Sequence, residues 1–350
     1  MHDATNGPAA RERCFSLSLD NPRATFAVFW GITFLLMLIC TWPAIGLDFA
    51  HHDDCRFWEY NRRHVVQHFE FGACLALGRP IFGLLLGAWG LLIDNVHDLS
   101  RIRFFSLIVI SLCASLWAWY LFRRGLNRFV ALVIGFVTFA LPGSLLTIIW
   151  VVGSPIAVGL LLAIVAGFLA DRVSCEKISQ WSSRPNLWYG TSSCLVLGMA
   201  LLTYQPSAMF FLLFAAADLL FASSAESSHL QRKALEKCSI FALTATTYFL
   251  MQKWLFLPIV MDIDSLARVF LETTVAHKFS LTWDVYPKLE LLITGATPMA
   301  ANIWYTGPSR LFAPFILAVV VGGLTAVALR LARRGDKESQ IGRASCRERV

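Results

Sequence analysis

Apolar runs long enough to cross a lipid bilayer recur along this chain, and no other feature constrains its fold as much. A spanning helix needs about 20 mostly apolar residues. Runs approaching that length are Thr25–Gly46, Phe104–Phe122, Phe129–Trp150, Pro155–Ala170, Trp188–Thr203, Pro206–Ala222, Ser239–Leu257 and Leu311–Leu331. In lipid, backbone amides and carbonyls must pair within the segment, so these runs are expected to be helices. The fold class expected is an all-α polytopic integral membrane protein. It has about eight transmembrane helices plus membrane-surface helices in the first external loop. A hydrophobic content of 57% over 350 residues agrees. Pro142-Gly143 falls inside the third run and should kink or end it. The first run follows a largely polar segment, residues 1–24, and is longer than the apolar stretch of a cleaved leader. It therefore reads as a retained anchor.

The last ten residues, Ile341–Val350 (IGRASCRERV), are the translation of ATCGGAAGAGCGTCGTGTAGGGAAAGAGTG, a common sequencing-adapter string. They are set aside as foreign, and the natural chain is expected to continue past about Gln340. Of the 30 basic and 23 acidic residues, this tail holds Arg343, Arg347, Arg349 and Glu348, which leaves 27 against 22. The remaining basic residues are spread through short connections between apolar runs. That distribution orients a membrane protein and is no footprint of nucleic-acid binding.

Loop charges assign the sides. With a cytoplasmic N-terminus and alternating spans, the internal segments hold Arg11, Arg13 and Arg23; Arg123, Arg124 and Arg128; Arg172, Lys177 and Arg184; Arg232, Lys233 and Lys237; and Arg330, Arg333, Arg334 and Lys337. Each carries three or four cations, while the tight external turns carry none. Residues 1–24 form a cytoplasmic segment and residues 25–340 the membrane domain, with long external loops over 47–103 and 258–310. The localisation expected is a bacterial inner membrane, multi-pass. Pro80–Ile93 is apolar but only 14 residues long, roughly 21 Å as a helix. It is read as a helix packed at the external surface or dipping partway in. A short further span is the alternative. Gly83, Gly87 and Gly90 recur on one face of it, where another helix could approach closely.

The first external loop concentrates ionisable groups, in the segment GLDFAHHDDCRFWEYNRRHVVQHFEFGACLALGRP. Arg56–Phe69 reads as an interfacial helix in which Phe57, Trp58, Tyr60 and Phe69 interleave with Arg62, Arg63, His64 and His68. Adjacent carboxylates beside arginines suit glycosyl transfer from a lipid-linked phosphate. That chemistry needs a base to deprotonate the acceptor hydroxyl and cations to hold the departing phosphate. Asp53 and Asp54 are the candidate bases, and Arg56, Arg62 and Arg79 the candidate phosphate ligands. Equally, Asp53 and Asp54 could simply cap the Arg56–Phe69 helix, since Asp is a favoured N-cap. His64 and His68 have a ligand spacing, but their place on an interfacial helix suits an amphipathic role as well. No metal and no cofactor are called for.

Three short motifs carry a family resemblance: Asp53-Asp54 with nearby aromatics, Gly78-Arg79-Pro80, and Thr203-Tyr204-Gln205 at the external end of a later span. Over roughly Ala24 to Ala222 the order of features resembles the polytopic GT-C glycosyltransferases that use polyprenyl-phosphate sugars. More narrowly it resembles the phage-type O-antigen glucosyltransferase (serotype-conversion) family. Cys55 departs from the pattern, standing where an aromatic or polar residue is expected. The resemblance implies a hexosyltransferase. It would act on a polyprenyl-phosphate-linked sugar and on a cell-surface glycan of the O-antigen or lipopolysaccharide kind, or a lipid acceptor.

Tyr204 and Gln205 could hydrogen-bond a sugar or phosphate, or Tyr204 could belong to an interfacial aromatic belt while Pro206 starts the next helix. Asp218, inside an apolar run, reads as a snorkelling or helix-packing residue. In the second long loop Trp283, Tyr286, Trp304 and Tyr305 suit interface anchoring better than sugar stacking. The rival function is a transporter or flippase of envelope polysaccharide precursors. It would call for inverted repeats and polar breaks at the bilayer midplane, whereas here the polar residues concentrate outside.

Overall fold

The computed structural model describes residues 22–46, 74–75, 77–140, 142–173, 184–221 and 227–259. Their regular structure is helical throughout. The helices are α1 (Pro22–Gly46), α2 (Pro80–Gly90), α3 (Asp98–Arg123), α4 (Arg128–Phe139), α5 (Pro142–Ile149), α6 (Ser154–Asp171) and α7 (Arg184–Thr203). They are followed by α8 (Gln205–Phe221) and α9 (Ser227–Met251), the latter continuing through a π-helical turn, Gln252–Phe256. Four described helical segments are long and apolar enough to cross a membrane: Pro22–Gly46, Asp98–Arg123, Val151–Asp171 and Leu230–Ile259. The expected span Leu311–Leu331, the interfacial helix Arg56–Phe69 and the loop 258–310 beyond Ile259 lie outside the described residues.

The bundle has two chemically distinct ends. Helices α1 and α3 are antiparallel: Phe26 meets Trp119 at 6.3 Å between ring centroids, and Phe34 meets Phe104 at 6.1 Å. Between these contacts the Thr33 and Ser115 hydroxyls share a hydrogen bond of 2.6 Å, and the Trp30 indole N–H donates to Ser111 Oγ at 3.2 Å. Such buried hydroxyl contacts fix the facing of two helices that lipid alone would leave unspecified. Helices α6 and α7 are also antiparallel, with Ser193 Oγ donating to the Ala166 carbonyl at 2.9 Å. The N-terminus of α1, Arg124, Asp171, Asp218 and Lys237 gather at one end. Gly46, Arg79, Arg103, Tyr204 and Tyr248 gather at the other.

Short elements are explained by the same two ends. The run Phe129–Trp150 is not one helix. Helix α4 ends at Phe139 and α5 starts at Pro142, because the proline ring cannot continue the preceding ladder. Arg128 begins α4 beside the Arg124 end, and the Ile149 carbonyl at the end of α5 accepts from Arg103 Nε at 2.9 Å at the opposite end. Twelve and eight residues rise about 30 Å together, so the pair makes one passage between the ends. Packing of α4 on α3 is close: a Cβ on Gly135 would come within 2.6 Å of Ala118 Cβ.

Helix α2 does not make such a passage. Its 11 residues rise about 16 Å. Arg79 at its start touches Gln205, while Trp89 near its finish meets the Phe105 ring at 5.0 Å, tilted by 58°. Leu86 packs with Ile93, Leu99, Ile102 and Val151 at that same end. Gly83 and Gly90 are buried, but Gly87 faces open space, which corrects the expectation of one packed glycine face. Helix α3 starts at Asp98 and not at Phe104. The Asp98 carboxylate accepts from the Asp94 and Asn95 amides at 3.0 and 3.1 Å, which holds the chain in the turn before the helix. Arg103, 1% exposed, also donates to the Ala44 carbonyl at 3.2 Å. It thereby satisfies last-turn carbonyls of both α1 and α5 that no helical amide can reach.

Candidate functional site

At the Arg103 end, two motifs far apart in sequence dock onto each other. Gly78 adopts φ +73°, a left-handed conformation that favours glycine. Its amide and that of Arg79 donate back to the Leu75 and Cys74 carbonyls at 2.9 and 2.7 Å, so the chain reverses sharply here. Pro80 then occupies the first turn of α2, where a missing amide hydrogen costs nothing. The reversal delivers Arg79 onto the junction of α7 and α8. Its Nε donates to Gln205 Oε1 at 2.8 Å, and its guanidinium carbon lies 4.6 Å from the Tyr204 ring centroid. Tyr204 is extended (φ −158°, ψ 111°) between the two helices, and its ring lies 6.3 Å from that of Phe82 in α2.

Tyr248 in α9 completes the cluster. Its hydroxyl donates to the Gly78 carbonyl at 3.1 Å and accepts from Gln205 Nε2, which also donates to the Leu77 carbonyl at 3.0 Å. Gln205 thus bridges three elements with one amide. Arg79 is held at Nε and across its face, while its two terminal nitrogens have no hydrogen-bond partner among the described residues. A half-buried guanidinium held this way is organised to receive a bidentate anion.

Of the expected site residues, Arg79, Tyr204 and Gln205 are therefore in contact. Asp53, Asp54, Arg56 and Arg62 lie outside the described residues, in the segment between Gly46 and Cys74 that leaves and rejoins this same end. His64 and His68, the pair with metal-ligand spacing, lie outside as well. Tyr248 was not anticipated. It reads as one more aromatic in an apolar run, and only Gln252, one helical turn on in sequence, hints at a polar face.

The opposite end holds a second polar cluster that the sequence did not assemble. Asp218, fully buried, pairs with Arg124 at 2.7 Å and Lys237 at 2.5 Å, and Asp171 pairs with the same two cations at 2.5 and 2.9 Å. The Tyr120 hydroxyl accepts from Arg124 at 2.8 Å and donates to Asp218 at 3.4 Å. Snorkelling is thereby excluded for Asp218. It is the helix-packing alternative that holds, with two anions neutralised by two cations from four chain segments. Buried charges require such pairing, since an isolated one would be very costly.

Compared with protein-family models, with curated proteins and with solved structures, the chain matches none of them. The resemblance to glycosyltransferases accordingly rests on its short sequence motifs alone.

Proposed function

We propose that this protein is a membrane glycosyltransferase. It moves a sugar from a polyprenyl-phosphate donor to a cell-surface glycan or lipid acceptor at the face of the inner membrane opposite its N-terminus. One observation carries the reading: Arg79, immobilised by Tyr204 and Gln205, sits at the end from which the Asp53-Asp54 loop leaves and to which it returns. In this reading the described helices and Leu311–Leu331 supply about eight spans, with the Arg124 end cytoplasmic. Every cytoplasmic connection then carries its excess of Arg and Lys, as the positive-inside rule requires.

In the reaction, Asp53 or Asp54 accepts the proton of the acceptor hydroxyl. The acceptor oxygen attacks the anomeric carbon, and the bond from that carbon to the phosphate oxygen breaks. Polyprenyl phosphate leaves, its developing negative charge held by Arg79 with Arg56 and Arg62. Stabilising charge at the leaving group is where preformed donors act most strongly. Gln205 and Tyr204 keep the Arg79 fork in position.

The test is the natural full-length protein assayed with polyprenyl-phosphate sugar and with nucleotide sugar, each with and without chelator. Transfer is expected from the lipid donor alone and is unaffected by chelator. Robust transfer from the nucleotide sugar, or complete loss with chelator, overturns the proposal.

A further inference from the structure

Two adjoining cavities lie at the Arg124 end, one charged and one apolar. The charged cavity, about 420 Å³, is lined by Trp119, Tyr120, Arg123, Arg124, Asp171 and Arg172, among others. The apolar one, about 330 Å³, is formed by Pro22, Arg23 and Phe26 of α1 with Leu116 and Trp119 of α3. Leu116 and Trp119 line both, so the two adjoin along these side chains as an amphipathic groove. The charged part falls within the range of small-ligand pockets.

Charge accounting separates this groove from the buried cluster behind it. Arg124 and Lys237 are balanced by Asp171 and Asp218. That leaves Arg123 and Arg172, both exposed, with no anionic partner among the described residues. Arg123 rests on the Trp119 ring at 5.0 Å, and the Trp119 indole N–H is buried with no acceptor among the described residues. An anion seated between Arg123 and Arg172, with an apolar tail leading away past Leu116 and Phe26, satisfies the charge and the shape together.

We propose that this groove binds one anionic glycerophospholipid, its phosphate between Arg123 and Arg172 and one acyl chain along Phe26 and Leu116. A free anion would leave the apolar half uncovered, and a zwitterionic lipid would leave the two guanidinium charges unbalanced. Basic pockets between membrane helices are known settings for anionic headgroups, and each arginine near the surface adds about fivefold in affinity. The site is independent of the sugar-transfer chemistry and lies at the other end of the bundle.

The experiment is a lipid titration of the delipidated, detergent-solubilised full chain, read by native mass spectrometry without any transfer assay. The probes are phosphatidylglycerol, phosphatidylcholine and inorganic phosphate. Phosphatidylglycerol is expected to bind about tenfold or more tighter than phosphatidylcholine. Arg123→Gln and Arg172→Gln should each weaken it about fivefold, and the double variant about 25-fold. Phosphatidylcholine, whose choline cancels the phosphate's net charge, should be weakened less than phosphatidylglycerol by the same substitutions. Leu116→Trp, which fills the apolar half, should also weaken phosphatidylglycerol. Because Arg123 and Arg172 are exposed, the variants are expected to melt with the wild type when lipid-free. Equal binding of the two lipids, or unchanged phosphatidylglycerol binding in the double variant, overturns the proposal. So does displacement by millimolar phosphate with Leu116→Trp behaving as wild type, which would make this a free-anion site.

Discussion

Replacing Gly78 by alanine should loosen the Arg79 cluster more than any other single-methyl change in the bundle. At φ +73° an L-residue is strained by about 1–2 kcal/mol. The added Cβ would also land against the Tyr248 hydroxyl and within 2.9 Å of Gln252 Cδ. Tyr248 cannot retreat without giving up its hydrogen bond to the Gly78 carbonyl and the one it receives from Gln205. Overpacking of this kind costs about 1–3 kcal/mol. The expected destabilisation is therefore about 2–5 kcal/mol, a melting shift on the order of 3–7 °C for a chain of 350 residues. Tyr248→Phe alone should cost about 1–3 kcal/mol by removing the hydroxyl from its two partners. In the double variant the alanine methyl meets no hydroxyl and those hydrogen bonds are already gone. Its loss should then fall short of the sum of the singles by at least about 1 kcal/mol. Thermal unfolding of the purified full chain in detergent measures all three variants. A Gly78→Ala protein within about 0.5 kcal/mol of wild type, or a strictly additive cycle, would refute the reasoning.

Asp53→Asn or Asp54→Asn should lower sugar transfer by about 10²–10⁴-fold with membrane insertion intact; full activity in both singles and the double would make the pair a helix cap. Arg79→Lys should reduce transfer while the Gly78 turn persists, because an ammonium cannot reproduce the bidentate fork. Unchanged donor affinity and turnover would return Arg79 to a structural role. Asp218→Leu should cost about 3–5 kcal/mol by stranding a buried cation, and adding Lys237→Met should recover much of it. Equal melting temperatures for single and double variants would contradict the buried pairing.

What the sequence disclosed was local chemistry, and what it withheld was contact across distance. Apolar length marked α1, α3, α6 and α9, since burial in lipid is a property of composition. Pro142 announced the break between α4 and α5, although the run around it was counted as one helix. Pro80–Ile93 was read as too short to cross, with a short further span as the alternative, and its helix is shorter still, Pro80–Gly90. Gly78-Arg79-Pro80 and Tyr204-Gln205 were legible as motifs because glycine, proline and a terminal arginine have specific backbone consequences. Their mutual contact, with Arg79 and Gln205 126 positions apart, was not legible from either motif alone. Tyr248 meets Gly78 across 170 positions, and apart from Gln252 one turn on, its apolar run gives no sign that sets it apart from a lipid-facing aromatic. Asp218 was conspicuous for its charge, but its partners Arg124 and Lys237 resembled ordinary positive-inside residues. The Asp53-Asp54 segment lies outside the described residues, so its role rests on chemistry and resemblance.

The order of the buried charges has a consequence for how the chain is made. Reading from the N-terminus, the cluster gains Arg124, then Asp171, then Asp218, then Lys237. Its accumulated charge during synthesis is one positive, zero, one negative and zero again, never more than a single elementary charge. Arg124 has its counterion once α6 has emerged. Asp218 has none to itself until Lys237 follows, 19 positions later. A lone carboxylate within an apolar segment resists partitioning into lipid. Helices α8 and α9 should therefore leave the translocation channel as a paired hairpin, and a chain cut between Phe221 and Lys237 should stall there with α8 still unreleased.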